Sequence, residues 1–470
     1  MIISAHKSYV MLLMACSLLA GCQMQPDYKR PDVSLPDVWN SQYSGQVYRQ
    51  REEKKAFYSD ANLRVIINLA LKHNLDLKEA VLNLKKAQEL YGIQKLALLP
   101  AVNASFSQTS AHEPDGLLDT TDTGALTYHQ YDAKLVSASW ELDFWGRLRS
   151  LKDSALNDYL ATKATARALK LTVISQAASS YLTFLAGKAN LRLAEQKVSN
   201  LRTMLSMQVS AWQLGDISRE TLLDYEVALR QQEQEMASLR TSVQKEYDAL
   251  QLLLGGKAPD RQMNSVTFTD ITDLRNLQPA LPASVLLQRP DVIAAEFRMK
   301  QANADIGAAR AAFFPSISLT ASGGSASAEL KDLFSAGTAA WSFSPSVTLP
   351  IFNNGRNKAN LRAAETTQQV AAADYEKVIQ QSFRDTSDAL AGRQSQQVRY
   401  AQSEGLFAVR DKAFTMAQLS VRAGDRSRFD CLQAKNALLD AKKELTESRL
   451  QLLLQEIQLH QSLGGNGNPI

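Results

Sequence analysis

Residues 213–229 read QLGDISRETLLDYEVAL, and residues 422–438 read RAGDRSRFDCLQAKNAL. Both contain Gly-Asp, then Ser-Arg, then a run of helical periodicity ending in Ala-Leu. The copies lie 209 residues apart. Gly215 and Gly424 read as the left-handed residues that end one helix, and Ser218 and Ser427 as the N-caps that start the next. Asp216 and Asp425 occupy the turn between. One chain therefore writes the same helical hairpin twice. Turn chemistry accounts for the glycine and the serine, but not for Arg219 and Arg428, which follow each serine.

The duplication extends well beyond the turns. At the same offset Gly146-Arg147 matches Gly355-Arg356, and Leu254-Gly255-Gly256 matches Leu463-Gly464-Gly465. Upstream the offset is 215, aligning Asp76 with Asp291, Ala87 with Ala302 and Pro100 with Pro315. The change of six residues places an indel-tolerant loop between Pro100 and Gly146. Residues 63–256 and 278–465 are thus two repeats, joined by a linker at 257–277 and followed by a tail at 466–470.

Each repeat orders its elements alike. A helix over 63–97, or about 284–311, is stopped by Pro100 or Pro315. Strict period-two alternation then marks strands at about 100–112 and 131–145, and at about 315–323 and 341–352 in the second repeat. After Gly146 and Gly355 the pattern turns helical without a proline, from Arg147 to Leu214 and from Arg356 to Ala423. Each such helix is a rod of roughly 100 Å. The return helices step apolar, small and polar residues by three and four, which suits a helical wall with one wet side. The fold class is a mixed α/β membrane protein with two internal repeats.

Residues 1–21 read as a lipoprotein signal peptide. Lys7 precedes an apolar stretch from Val10 to Ala20, too short to span a bilayer, and Leu19-Ala20-Gly21-Cys22 looks like a lipobox with Cys22 as the lipidated residue. Gln23 after it favours the outer membrane over retention at the inner one. Residues 22–62 form an extended N-terminal segment. Cys16 leaves with the signal, so only Cys431 remains and no intrachain disulfide is available.

The formal charge of +4 is small, and no basic cluster with interleaved aromatics occurs, so nucleic acid is not a partner. The chain has no His-Glu-x-x-His, Gly-x-Ser-x-Gly, Walker loop or Cys-x-x-Cys. Its five histidines, at 6, 73, 112, 129 and 460, are scattered. The expectation is no catalytic residue, no metal site and no cofactor. Runs of about ten residues match a tilted transmembrane strand. Four strands cannot close a barrel, and a membrane tolerates no open edge, so other chains must complete it, with eight strands from two chains or twelve from three.

These features together resemble the TolC family of outer membrane efflux factors. Leu287-Gln288-Arg289-Pro290-Asp291 and the run from Ile306 to Leu319 (IGAARAAFFPSISL) are similar to its lipoprotein branch, the NodT-type factors of RND pumps. Pro26-Asp27-Tyr28-Lys29-Arg30-Pro31 after Cys22 fits that branch too. The resemblance implies a homotrimer whose twelve strands form one outer-membrane β-barrel, continued by a long α-helical periplasmic barrel. A belt around that helical barrel would gather the chain ends and the linker. It implies an exit duct that exports drugs or other toxic small molecules, anchored in the cell outer membrane with a periplasmic extension. The implied partners are a periplasmic adaptor protein, an inner-membrane RND pump and outer membrane lipid. By the same resemblance, the tips at Gly215, Asp216, Gly424 and Asp425 dock the adaptor. Arg426 and Asp430 match the family's periplasmic gate, a second gate position falls on Gln433, and Arg219 and Asp224 stand at the first tip. The four-residue spacing of Arg426 and Asp430 predicts an ion pair on one helical face. Other readings of the pattern are a structural coiled-coil lipoprotein without transport, and a duct for metal ions or exported protein.

Overall fold

The computed structural model describes residues 23–32, 57–114, 126–272, 274 and 283–465. The signal peptide, Cys22 and the tail at 466–470 lie outside these residues. In chain order the regular elements are α1 (Ala61–His73), α2 (Leu75–Leu96), β1 (Asn103–Glu113), β2 (Leu126–Leu142), α3 (Arg147–Leu214), α4 (Arg219–Leu253), α5 (Asp260–Asn264), α6 (Pro290–Ala311), β3 (Ser316–Ser327), β4 (Ala339–Thr348), α7 (Arg356–Ala423) and α8 (Arg428–Ser462). The chain forms two compact units. Among the described residues, one holds 23–32 and those within 84–162 and 295–375, and the other those within 57–83, 163–294 and 376–465. Each unit draws segments from both repeats.

In the first unit the four strands make one antiparallel sheet in the order β1-β2-β3-β4. The register sorts their side chains by face. Ala104 lies opposite Leu135 and Phe106 opposite Ala133, and Leu135 pairs in turn with Gly323. Gly323 faces Trp341, Ala321 faces Phe343 and Leu319 faces Pro345. This face is mostly apolar toward the helices, with Ser137 and Ser325 among its members, and turns polar at the loop end through Gln108, Ser110 and His112. The other carries Ser105, Ser107, Asp132, Lys134, Thr320, Ser322, Ser342 and Ser344. Asp132 and Lys134 form an ion pair there at 2.5 Å, and Ser322 meets Ser342 at 2.7 Å. Among the described residues nothing covers this apolar part of the sheet, since Phe106, Trp341, Phe343 and Val347 are all exposed. No described helix is long and apolar enough to cross a membrane.

The strands reach beyond the sequence expectation at their loop ends. Cross-strand pairs such as Ser110 with His129 (2.8 Å) and His112 with Thr127 (2.7 Å) continue the ladder into what reads as polar loop. At their other ends β2 and β4 stop short, at Leu142 and Thr348 instead of about 145 and 352. Asp143 leaves the strand because its carboxylate accepts from the backbone N–H groups of Leu148 and Arg149, both at 2.9 Å, and so caps α3. Pro350 cannot donate to a ladder. A bulge between Ser137 and Trp140, with Ser139 at φ 52°, re-phases the last turn of β2.

Two helices replace the single one expected over 63–97. The chain breaks at Asn74, whose backbone is extended (ψ 128°) and whose side chain accepts from the Leu77 N–H at 2.9 Å to cap α2. The repeat explains this break. At the offset of 215, Leu75 aligns with Pro290, which starts α6, and both helices have 22 residues. The long helices agree to the residue at the offset of 209: α3 and α7 have 68 residues each, α4 and α8 have 35 each.

In the second unit the core gathers the segment before α1, α1 itself, and parts of α3, α4, α8 and the linker. Tyr58, Leu63, Ile66, Ile67, Tyr181 and Leu254 are fully enclosed in it. Each buried side chain of this size contributes about 1.5–3 kcal/mol. The linker is part of this core, since Met263, Phe268 and Ile271 are buried. Its backbone is held by Tyr181, which donates to the Gln262 carbonyl at 3.1 Å, and by Arg449, which donates to that of Ile271 at 2.7 Å. Asp60 caps α1 and accepts a third bond from the Thr272 N–H at 3.1 Å, tying the chain entry to the linker.

Candidate docking tips and gate

Both hairpin tips are built by the same backbone device. Gly215 donates to the Trp212 carbonyl (3.0 Å) and Asp216 to that of Ala211 (2.9 Å). Gly424 donates to Val421 (3.2 Å) and Asp425 to Ser420 (2.9 Å). These paired bonds are the Schellman closure of α3 and α7, with the glycines at φ 83° and 84°. A methyl group on either glycine would meet nothing within 4 Å, so only backbone strain and outside partners constrain these positions.

Beyond the turns the tips differ. At the first, Ser218 accepts from the Thr221 N–H at 3.1 Å, while Arg219 lies over the Trp212 ring at 5.3 Å and reaches Glu226 at 4.0 Å. At the second, Ser427 accepts from the Asp430 N–H (3.1 Å), and the Asp430 carboxylate accepts from the Ser427 hydroxyl (2.8 Å) and N–H (3.3 Å). This reciprocal capping box occupies Asp430. Arg426 precedes the N-cap and so stands outside the helix. The expected helical pair with Asp430 is absent, because the i to i+4 geometry requires both residues in the helix. Arg426, Gln433, Asp216, Asp224 and Asp425 are all exposed, and none has an ion-pair partner among the described residues. The two tips touch through Tyr225 and Phe429, whose rings meet edge to face at 5.4 Å. Their charges oppose: residues 215–226 carry four acidic groups and Arg219, whereas residues 424–435 carry Asp425 and Asp430 against Arg426, Arg428 and Lys435.

Away from the tips a polar seam joins the two hairpins. Asn200 on α3 donates to Asn436 on α8 at 2.8 Å, buried, and Lys197 pairs with Asp440 at 2.6 Å. Lys443 on α8 pairs with Glu235 on α4, and this bond holds the Glu235 carboxyl below its usual range. Glu235 in turn raises Lys443 against the opposing effect of burial. Sequence reasoning missed this seam. Its members are not at repeat-equivalent positions, and the available signals were Asn190 and Asn200 on a stripe with Leu193, Ala194, Val198 and Met204. Among the described residues no cluster of three His, Cys, Asp or Glu is placed to hold a metal ion. Cys431 is free and half-buried.

The outer membrane efflux protein family matches residues 66–256 and 281–465, one segment in each repeat. The chain is 35% identical over 462 residues to the solvent efflux pump outer membrane protein SrpC of Pseudomonas putida, covering 96% of this chain and 97% of that one. It is 33% identical over 466 residues to the outer membrane protein OprJ of Pseudomonas aeruginosa, covering 97% and 95%. Among solved structures it superposes on the open-state MtrE outer membrane channel of Neisseria gonorrhoeae with a TM-score of 0.78 at 31% identity, covering 95% of this chain and 99% of that one. The neighbours are trimeric outer membrane channels, and the family consists of channels rather than enzymes. Matched in both repeats and along nearly its whole length, the chain belongs to the outer membrane efflux protein family and is the outer membrane channel of an efflux pump.

Proposed function

We propose that the chain is the lipid-anchored exit duct of a tripartite pump, fed by an inner-membrane RND transporter through a periplasmic adaptor. The observation that supports this reading best is the sheet: one face with Phe106, Trp341, Phe343 and Val347 exposed, an opposite face of Ser, Thr, Asp and Lys, and an open edge on each side at β1 and β4. Such a sheet fits a barrel wall between lipid and an aqueous lumen. A coiled-coil scaffold has no use for it. The cargo class is small apolar toxicants, organic solvents among them, by likeness to SrpC. No observation favours metal ions or exported protein.

The tips at Gly215-Asp216 and Gly424-Asp425 are the docking sites for the adaptor, since among the described residues nothing comes within 4 Å of a methyl group on either glycine. Their opposite charge means that the adaptor meets an acidic and a basic site in alternation around the trimer. Arg426 and Asp430, with Arg219, Asp224 and Gln433, form the gate. Arg426 is free to bridge to a neighbouring protomer, whereas Asp430 must leave its cap to do so.

Complementation of an efflux-deficient strain tests docking. Gly424→Val should abolish resistance while heat-stable trimers still form, and retained resistance would exclude the tip contact. Planar-bilayer conductance tests the gate. Arg426→Ala and Asp430→Asn, which keeps the cap acceptor, should together raise resting conductance and sensitise cells to large antibiotics; unchanged conductance places the gate elsewhere. Labelling with palmitate tests the anchor, because Cys22→Ser should carry no label.

A further inference from the structure

The ten residues after Cys22 are fastened to the first unit along their length. Gln23 donates to the Asp153 carboxylate on α3 at 3.0 Å. Gln25 lies on Gly307 of α6, where a methyl group would come within 2.9 Å of the Gln25 Cα and 2.7 Å of the Ser150 hydroxyl on α3. A glycine inside a helix costs about 1 kcal/mol relative to alanine; here it lets three segments meet. The Pro26 carbonyl accepts from Asn303 at 2.8 Å. Arg30 forms a two-pronged pair with Glu296 (2.6 and 3.3 Å), which also accepts from Tyr28 (3.4 Å) and pairs with Lys300 (2.9 Å). Burial pushes the Glu296 carboxyl up, but Arg30 and Lys300 outweigh it and hold it below the usual range. The Lys300 ammonium also lies over the Tyr28 ring at 5.1 Å.

The contacts run in order. From Gln25 to Arg30 the partner on α6 moves from Gly307 back to Glu296. Eleven helical residues span about 16 Å, and five fully extended residues also span about 16 Å. The two lengths match, so residues 25–30 lie extended along α6. At its other end Gln25 meets Ser150 and Gln23 meets Asp153, about 4 and 9 Å along α3 from Arg147, where the strands give way to helix. That junction carries Trp145, stacked on Phe314 at 4.7 Å and donating to the Pro315 carbonyl at 2.8 Å. Indole rings favour the headgroup level of a bilayer.

We propose that residues 23–30 are a taut tether that fixes the height of the lipid attachment point, so that the acyl chains and the Trp145–Phe314 pair engage the inner leaflet of the outer membrane together. The tether rests on the reading that Cys22 carries lipid. Its action is to raise the local concentration of the sheet at the leaflet into which it must insert. A slack tether would anchor the chain without presenting it.

The test uses the full-length chain, palmitate labelling, and the yield of heat-resistant trimer in the outer membrane. Glu296→Gln should keep the label, speed tryptic cleavage after Lys29 about tenfold or more, and lower the trimer yield. A second variant inserts Gly-Ser-Gly-Ser after Gln23, adding about 13 Å of slack without touching a contact on α6. It should keep both the label and the protection of Lys29, yet lose trimer yield as Glu296→Gln does. A labelled insertion variant that assembles like the wild type overturns the tether, as does a Glu296→Gln chain cut no faster than wild type. A wild-type chain without label overturns the lipid reading first, and the tether falls with it.

Discussion

His460 is fully buried on α8, stacked face to face on Phe57 at 4.2 Å, and neither ring nitrogen has a partner among the described residues. Burial alone pulls its pKa down to about 4. Above pH 6.5 the residue is neutral folded or unfolded and adds no pH dependence. Between pH 6.5 and 4 the unfolded chain takes up a proton that the folded one refuses, so stability falls by roughly 1.4 kcal/mol per pH unit. Thermal melts at pH 7 and pH 5 should therefore differ less for His460→Phe than for the wild type; equal differences would mean that the ring is not neutral in the fold. At the tips, Gly215→Ala and Gly424→Ala should each cost only about 1–2 kcal/mol, because the strain of positive φ is the sole penalty. Differential scanning calorimetry of purified trimer checks this. The role of these glycines was readable from sequence because cap chemistry is local. The capping duty of Asp430 was not read, since Ser427-x-x-Asp430 and Arg426-x-x-x-Asp430 compete for one carboxylate and only coordinates show which wins. His460 carried no sequence signal of its burial.

Among elements, the long helices were legible to the residue because the duplication repeats their ends. The break at Asn74 was equally present in the sequence, in Pro290 read back through the offset of 215, but the apolar periodicity of 63–97 runs straight through it. Strand ends were less legible, as Ser, Thr and Gln serve both loops and a polar sheet face. The sheet makes a sharp paired prediction. A methyl group on Gly324 of β3 would lie 2.1 Å from the Ala133 carbonyl of β2, whereas one on Gly323 meets nothing within 4 Å. Gly324→Ala should separate the β2–β3 ladder and abolish heat-resistant trimer, a loss above about 4 kcal/mol. Gly323→Ala should leave trimer unchanged. Equal yields from the two variants would contradict the register.

At the scale of the whole molecule, four strands with two open edges demand neighbours, and the need for other chains was plain from strand count alone. Their number came from resemblance, because edges specify that a sheet must be continued and not how often. The same scale shows how each repeat begins and ends. In the first, Asn74 donates to the Leu253 carbonyl at 3.4 Å, and Gly255 abuts the His73 carbonyl so closely that a methyl group would lie at 2.7 Å. In the second, Arg289 donates to the Ser462 carbonyl at 2.7 Å and Gly464 packs on its Cα. Asn74 and Arg289 are equivalent at the offset of 215, and Gly255 and Gly464 at 209. Each repeat thus knots its own entry to its own exit, and the peptide link between them is topologically dispensable. Cut between Leu274 and Ala283, with a second signal sequence supplied to the latter half, the gene should yield two polypeptides that assemble three and three. Restored efflux from the co-expressed halves, and none from either alone, is the expected result. Each half would then carry one tip, the acidic one at Gly215-Asp216 or the basic one at Gly424-Asp425, open to change apart from the other.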